Sequence, residues 1–193
     1  MPYFVDKCDK YLGASVKNSL WVWCDLEMTG LDVETDTILE VCCVITTPEL
    51  NILTPKPFHK VIYHNKMALD QMSEWCIENH QLSGLTDDVL MSQDDLTTVE
   101  KLFIDFLQEH TLESDMLYLA GNSIHTDRAY IKRLMPGLES LLHYRMIDVT
   151  AIAMFLETIG MKKFDKASSH RACDDIIESI NELKYYKKQL HDN

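Results

Sequence analysis

Leu20-Trp21-Val22-Trp23-Cys24-Asp25-Leu26-Glu27-Met28-Thr29-Gly30-Leu31 is the stretch on which the reading of the fold turns. Leu20 to Cys24 is apolar, aromatic and β-branched, which suits a buried central strand rather than a short helix. The apolar run breaks on Asp25-Leu26-Glu27. Side chains two apart in a strand share a face, about 7 Å apart along the chain, so Asp25 and Glu27 project together while Leu26 faces the other way. Two neighbouring carboxylates repel, and burying them is costly unless a cation lies between them. A hard divalent cation such as Mg²⁺ or Mn²⁺ resolves the conflict, because both take carboxylate oxygens. A strand end whose two acids simply reach water is the alternative that this stretch alone leaves open. Met28-Thr29-Gly30-Leu31-Asp32 reads as a turn, with Gly30 allowing the sharp bend.

Working outward, Thr37 to Thr46 is a second strand, Pro48-Glu49-Leu50-Asn51 turns the chain, and Phe58 to Tyr63 alternates as a third. Short connections make these three an antiparallel meander. The pattern then becomes helical: Met67 to His80 carries Leu69, Met72, Trp75 and Cys76 at helical spacing, with Ser83-Gly84 as a stop. Val99, Leu102, Phe103, Phe106 and Leu107 form an amphipathic stripe opened by the polar cluster 92–97. Met116 to Ala120 is a strand ending at Gly121-Asn122-Ser123. Thr126 or Asp127 opens a helix closed by Pro136-Gly137, Met146 to Val149 is the fifth strand, and Ala151 to Ile159 is a helix. Arg171 to about Leu190 is the last helix, with Cys173, Ile176, Ile177, Ile180 and Leu183 facing inward. Strands first, then strands alternating with helices, specify an α/β domain with a mixed five-stranded sheet.

The 193 residues contain no repeat or linker, so a single domain spans 1–193, with residues 1–19 set apart as an N-terminal extension. No apolar run approaches the ~18 residues of a membrane span. The first 19 residues lack both a secretory apolar core and the arginines of a transit peptide. The expected location is cytoplasmic, with a mitochondrial one left open. The six cysteines form no C-x-x-C pair and no zinc spacing, and most are expected to be buried thiols in a reducing compartment. Adjacent Cys42 and Cys43 face opposite sides of their strand. With 31 acidic against 18 basic residues the net charge is −13, and no basic stripe offers a track for long duplex or single-stranded nucleic acid. A short anionic ligand held by a few groups remains compatible.

Asp127 follows a strand and a turn at a helix start, where the exposed amides and the dipole favour an acid without any function. His170 precedes the last helix, and Asp174 and Asp175 occupy its first turn, again a favoured place for acids. Taken together, Asp25-Leu26-Glu27-Met28-Thr29-Gly30-Leu31, Gly121-Asn122-Ser123-Ile124-His125-Thr126-Asp127-Arg128, His143-Tyr144-Arg145-Met146-Ile147-Asp148-Val149 and His170-Arg171-Ala172-Cys173-Asp174-Asp175-Ile176 resemble the DEDDh exonucleases. Within that superfamily the chain is similar to the oligoribonuclease family, from Trp21 through Tyr186.

The resemblance implies an RNase H-like fold bearing a 3′-to-5′ exonuclease site that degrades very short RNA, dinucleotides foremost, to nucleoside 5′-monophosphates. It implies Asp25, Glu27, Asp127 and Asp175 as carboxylates for two divalent cations, Mg²⁺ or Mn²⁺, and His170 as the general base. Family spacing selects Asp175 over Asp174; helical geometry alone does not. Such carboxylates suit the chemistry because two cations about 4 Å apart activate water and stabilise a leaving oxygen, while histidine takes a proton near neutral pH. The resemblance further implies Leu31 and Trp75 as contacts to bases, with core packing as the plain alternative for each. Ser123, Arg145 and Thr150 correspond to a cage for the 5′ phosphate, and His80 and Tyr144 to its flanking contacts. The plain alternatives are a surface salt bridge for Arg145 and an exposed helix-end position for His80. A homodimer is implied too, with the His143-Tyr144 segment reaching the partner's site. Thr150 stands where bacterial members have serine. The segment from Gly160 to Ser169 is short, leaving Lys163 and Lys166 without a clear role, and His125 is assigned none. Two rival readings keep the fold: an exonuclease for longer RNA or DNA, and a non-catalytic nucleotide-binding module.

Overall fold

The computed structural model describes residues 18–166 and 171–192. Its sheet is built from β1 (Ser19–Met28), β2 (Ile38–Thr46), β3 (Phe58–Val61), β4 (Met116–Gly121) and β5 (Leu142–Asp148). The order is β3-β2-β1-β4-β5, antiparallel from β3 to β1 and parallel from β1 to β5. β1 is therefore the central strand, and the meander and the mixed sheet expected from the sequence are both present.

Alternation along β1 assigns its two faces. Leu20, Val22, Cys24 and Leu26 enter a core with Val99, Phe103 and Leu107 of α4 (Leu96–His110) and with Tyr130 and Ile131 of α5 (His125–Leu134). Trp23 lies on the other face, against Ala172, Ile176 and Ile180 of α8 (Ala172–Asp192). Asp25 and Glu27 share the parity of Trp23, so they fall on the face that α8 covers. β1 and β2 pair Glu27 with Glu40 before a register shift between Glu27 and Met28.

Three helical expectations are corrected. Met67 to His80 is not one helix but α1 (Lys66–Leu69) and α2 (Glu74–Leu82), because the Ser73 side chain accepts the Cys76 N–H and opens a new helix there. Gly84, in the left-handed region at φ 78, ends α2 as expected. It leads straight into α3 (Leu85–Met91), which buries Leu85 and Val89 and was not read from the sequence. Pro136 closes α5 but also opens the short α6 (Pro136–Glu139), since proline is tolerated in a first helical turn. β5 begins four residues before the expected Met146, and α7 (Val149–Thr158) takes its cap from Asp148, which accepts the Ala151 N–H.

The cysteines need a correction too. Cys24, Cys43 and Cys76 are buried thiols, but Cys42 and Cys173 form a disulfide that ties β2 to α8. The partners are 131 residues apart, and only the docking of α8 on the sheet brings them together. Cys8 lies outside the described residues. As expected, Cys42 and Cys43 face opposite sides: Cys43 enters the α4 core and Cys42 the α8 core.

Candidate active site

The central strand delivers the first carboxylates. Asp25 and Glu27 end the apolar part of β1, and Asp175 reaches them from the first turn of α8. One oxygen from each of the three can be chosen so that all lie within 4.8 Å of one another. Asp127, in the first turn of α5, is buried, and its Oδ1 accepts the Leu26 N–H at 3.0 Å. It is thereby fixed to the strand between Asp25 and Glu27. β4 approaches closely here: a Cβ on Gly121 would stand 2.9 Å from the Cys24 carbonyl oxygen. His170 lies outside the described residues, immediately before Arg171.

The electrostatics point to a cation. Burial, followed by Asp127, Glu27 and Asp175, pushes Asp25 well above the usual carboxylate range. Burial, with Glu40, Asp175 and Asp127 adding to it and Arg171 opposing, raises Glu27 to about 8. Burial also raises Asp127 to about 7, against the hydrogen bonds it accepts from its own N–H and from Leu26. Each shift expresses the penalty of holding another negative charge in one shielded place. A site made of hard oxygen donors that resist ionisation together fits a divalent cation, whose charge would reverse those shifts.

Beside the carboxylates opens a cavity of about 750 Å³ lined by Glu27, Met28, Gly30, Leu31, Trp75 and His80, among others. The turn that forms its lip is braced by side chains. Thr29 Oγ1 donates to Asp36 Oδ1 at 2.8 Å, Asp36 Oδ2 accepts the Asp32 N–H at 2.9 Å, and the Tyr130 hydroxyl donates to the Gly30 carbonyl. A Cβ on Gly30 would run into the Asp36 carboxylate, so this brace requires glycine. Leu31 is left 81% exposed and Trp75 57% exposed, which excludes core packing for both in this chain. His80 is 2% exposed, so it is no exposed helix-end residue. Its Nε2 lies 2.9 Å from the Met28 carbonyl oxygen and its Nδ1 3.9 Å from Glu27 Oε2.

Ser123 and Thr150 meet just beyond the ends of β4 and β5, where Gly121 pairs with Asp148, whereas Tyr144 and Arg145 lie within β5 itself. Ser123, at φ 47, donates its N–H to Thr150 Oγ1 at 3.0 Å and to Asp148 Oδ1 at 3.2 Å, and its hydroxyl lies 3.3 Å from that of Thr150. Arg145 is exposed and sits 5.2 Å over the Tyr144 ring; Tyr144 is itself exposed. Lys166 is engaged by buried Glu182 at 2.8 Å, which also accepts from Asn122, so its charge serves this internal network. Lys163 is exposed, and His125 is exposed 3.4 Å from Asp148 Oδ2.

One group of residues near the site was not read from the sequence. Glu40, the third residue of β2, is buried and binds Arg171, His59 and the Ala172 N–H. The available signal was a lone glutamate inside the apolar run Ile38 to Ile45, since an unpaired charge does not stay buried.

The RNase_T exonuclease family model matches residues 22–183, which span every element from β1 to α8 and all the carboxylates above. The chain belongs to this exonuclease family. Within it the relatives are oligoribonucleases. The mitochondrial oligoribonuclease of Homo sapiens is 42% identical over 173 residues, covering 88% of this chain and 72% of that one. The oligoribonuclease of Mycobacterium tuberculosis is 43% identical over 171 residues, 86% of this chain and 79% of that one. An exonuclease of this family is an enzyme of the nuclease class. Among solved structures, the zinc-bound complex of E. coli exonuclease I with single-stranded DNA aligns with a TM-score of 0.64 at 12% identity. That alignment covers 91% of this chain but 42% of exonuclease I, so it speaks for the fold alone. Among the described residues, no helix is long and apolar enough to cross a membrane.

Proposed function

We propose that this exonuclease removes nucleotides from the 3′ end of very short RNA, dinucleotides foremost, releasing nucleoside 5′-monophosphates. The observation that carries the reading is the convergence of Asp25, Glu27 and Asp175 beside a cavity lined by exposed Leu31 and Trp75. Such a cavity has the size of a small-ligand site, roughly 300–1,000 Å³. Two divalent cations, Mg²⁺ or Mn²⁺, held by these carboxylates and Asp127 would activate a water and stabilise the leaving oxygen.

The chain's own groups do the rest. His170 takes the proton of the attacking water. Leu31 wedges against a base and Trp75 stacks on it, a contact worth about 1–3 kcal/mol. Ser123 and Thr150 offer hydroxyls to the 5′ phosphate, and Arg145 grips it with its planar fork; Tyr144 flanks that phosphate. His80, buried against Met28 and Glu27 in the wall of that cavity, is a second flanking contact. A cage closed on a 5′ phosphate leaves no exit for a longer strand, in keeping with a net charge of −13. The chain acts as a homodimer in this reading, with exposed Tyr144 and its neighbour His143, whose rings lie 4.5 Å apart between centroids and tilted to each other, turned to the partner's site.

The test is hydrolysis and binding of 5′-phosphorylated RNA from two to seven nucleotides, with and without EDTA. Turnover should vanish in EDTA, and affinity should be greatest for the dinucleotide and fall with length. Arg145→Ala should erase most of the advantage of the 5′ phosphate, about 10- to 150-fold for a lost charge-assisted hydrogen bond. Affinity that climbs steadily to seven nucleotides would replace this reading with a general short-strand exonuclease. Binding without metal-dependent turnover would leave a nucleotide-binding module.

A further inference from the structure

Asp175 is the one carboxylate of the three-oxygen cluster that does not come from β1, so the site is complete only when the start of α8 is held against the sheet. Arg171 sits at that start. Its main-chain carbonyl accepts the N–H of Asp174 at 3.0 Å and that of Asp175 at 3.1 Å, so Asp175 hangs one helical turn from it. Its side chain reaches three other places. Nε and Nη2 donate to Glu40 Oε1 at 3.1 and 2.8 Å, Nη1 donates to the Ser83 carbonyl at 3.2 Å, and Nη2 pairs with Asp88 Oδ2 at 3.0 Å. β2, the end of α2 and α3 are thus all joined to the first turn of α8 through one guanidinium.

Glu40 is the fixed end of this clamp. It is 1% exposed and stands directly across from Glu27 in the β1–β2 ladder. Its Oε2 also accepts the Ala172 N–H at 3.1 Å, and His59 Nε2 lies 2.7 Å from Oε1. Burial pushes Glu40 up, but these hydrogen bonds outweigh it and hold its carboxyl below the ordinary value. The Glu40 carboxylate therefore serves the clamp.

We propose that Arg171 is a positioning residue for metal binding: seated on Glu40, it fixes the first turn of α8 so that Asp175 meets Asp25 and Glu27. The proposal rests on the metal site put forward above. The Arg171 guanidinium acts on Glu27 as a nearby positive charge, and a positive charge beside a cation site repels the cation. Removing it should tighten metal binding if charge is all it contributes, and loosen metal binding if position is what it contributes.

The experiment is titration of the full chain with Mn²⁺, followed by electron paramagnetic resonance, for the parent, Asp175→Asn, Arg171→Gln and Arg171→Lys. A phosphine reductant is present throughout, because the Cys42–Cys173 disulfide is a second tie between β2 and α8. Thermal melts of each variant are recorded alongside. Position predicts that Arg171→Gln weakens Mn²⁺ binding about tenfold or more. Arg171→Lys should fall between it and the parent, keeping the charge but losing the planar fork. Binding by Arg171→Gln equal to or tighter than the parent, even with a lower melting temperature, overturns the proposal. Should Arg171→Gln fail to fold, Arg171→Lys decides: unchanged affinity overturns it. If the parent binds no Mn²⁺, or Asp175→Asn binds as well as the parent, the metal site itself is wrong.

Discussion

Glu27→Gln should stabilise the metal-free protein while destroying its activity. In the folded chain the Glu27 carboxyl is raised from 4.5 to about 8, first by burial and then by Glu40, Asp175 and Asp127. A carboxyl whose folded value lies above its unfolded one contributes stability that is complete below the unfolded value and is lost as pH rises through the folded one. For Glu27 that window runs from 4.5 to about 8. Each pH unit in it represents about 1.4 kcal/mol, so raising the pH from 4.5 to 7 removes at most about 3.4 kcal/mol. Water at the open side of the site screens the charge, and roughly 1–2 kcal/mol is the expected gain on replacing the carboxyl with an amide. For a chain of this length that corresponds to a melting temperature higher by about 2–8 °C. The assay is thermal denaturation of parent and variant in EDTA at pH 5, 7 and 8. The two should diverge as pH rises, the parent falling faster. Mn²⁺ should raise the parent far more than the variant, because the cation restores the charge balance that the amide no longer needs. A variant less stable than the parent at pH 8 in EDTA would refute the reasoning. Glu27 would then be held by favourable hydrogen bonds rather than strained by its neighbours.

Other perturbations separate the roles of the remaining groups. Asp25→Asn, Asp127→Asn and Asp175→Asn should each lower turnover at least ~100-fold by removing a charge that holds metal, whereas Asp174→Asn, on an exposed neighbour, should be mild; steady-state kinetics at fixed Mn²⁺ check this. His170→Ala should lower the rate by about 10² to 10⁴ while leaving Mn²⁺ affinity intact, and an equal loss of affinity would make it a ligand instead. Reducing Cys42–Cys173, which closes a loop of 131 residues, should lower the unfolding free energy by up to about 5 kcal/mol on the chain-entropy account. Urea unfolding with and without a dithiol reads this out, and coincident curves would mean that the bridge does not constrain the unfolded chain.

Much of this protein follows from local rules that a linear sequence carries. The change from period two to period 3.6 separates the meander from the helical part, and the break of an apolar strand on Asp25-Leu26-Glu27 puts two carboxylates on one face. Those statements need only the geometry of a single element, so they hold before any packing is known. The family pattern then singled out Asp175 over Asp174, a choice that helix geometry by itself left open. The tertiary structure decided what depends on elements meeting. Leu31 and Trp75 could equally have packed inward; only the braced Thr29–Thr37 turn and the separate start of α2 at Ser73 leave them exposed around one cavity. Cys42 finds Cys173, and Glu40 finds Arg171, across 131 positions each. No local pattern encodes such pairs, because they arise when α8 docks on β2 and buries groups that must then be satisfied. What the sequence determined was which chemistry the chain carries; where α8 sits on the sheet decided whether those carboxylates share one site.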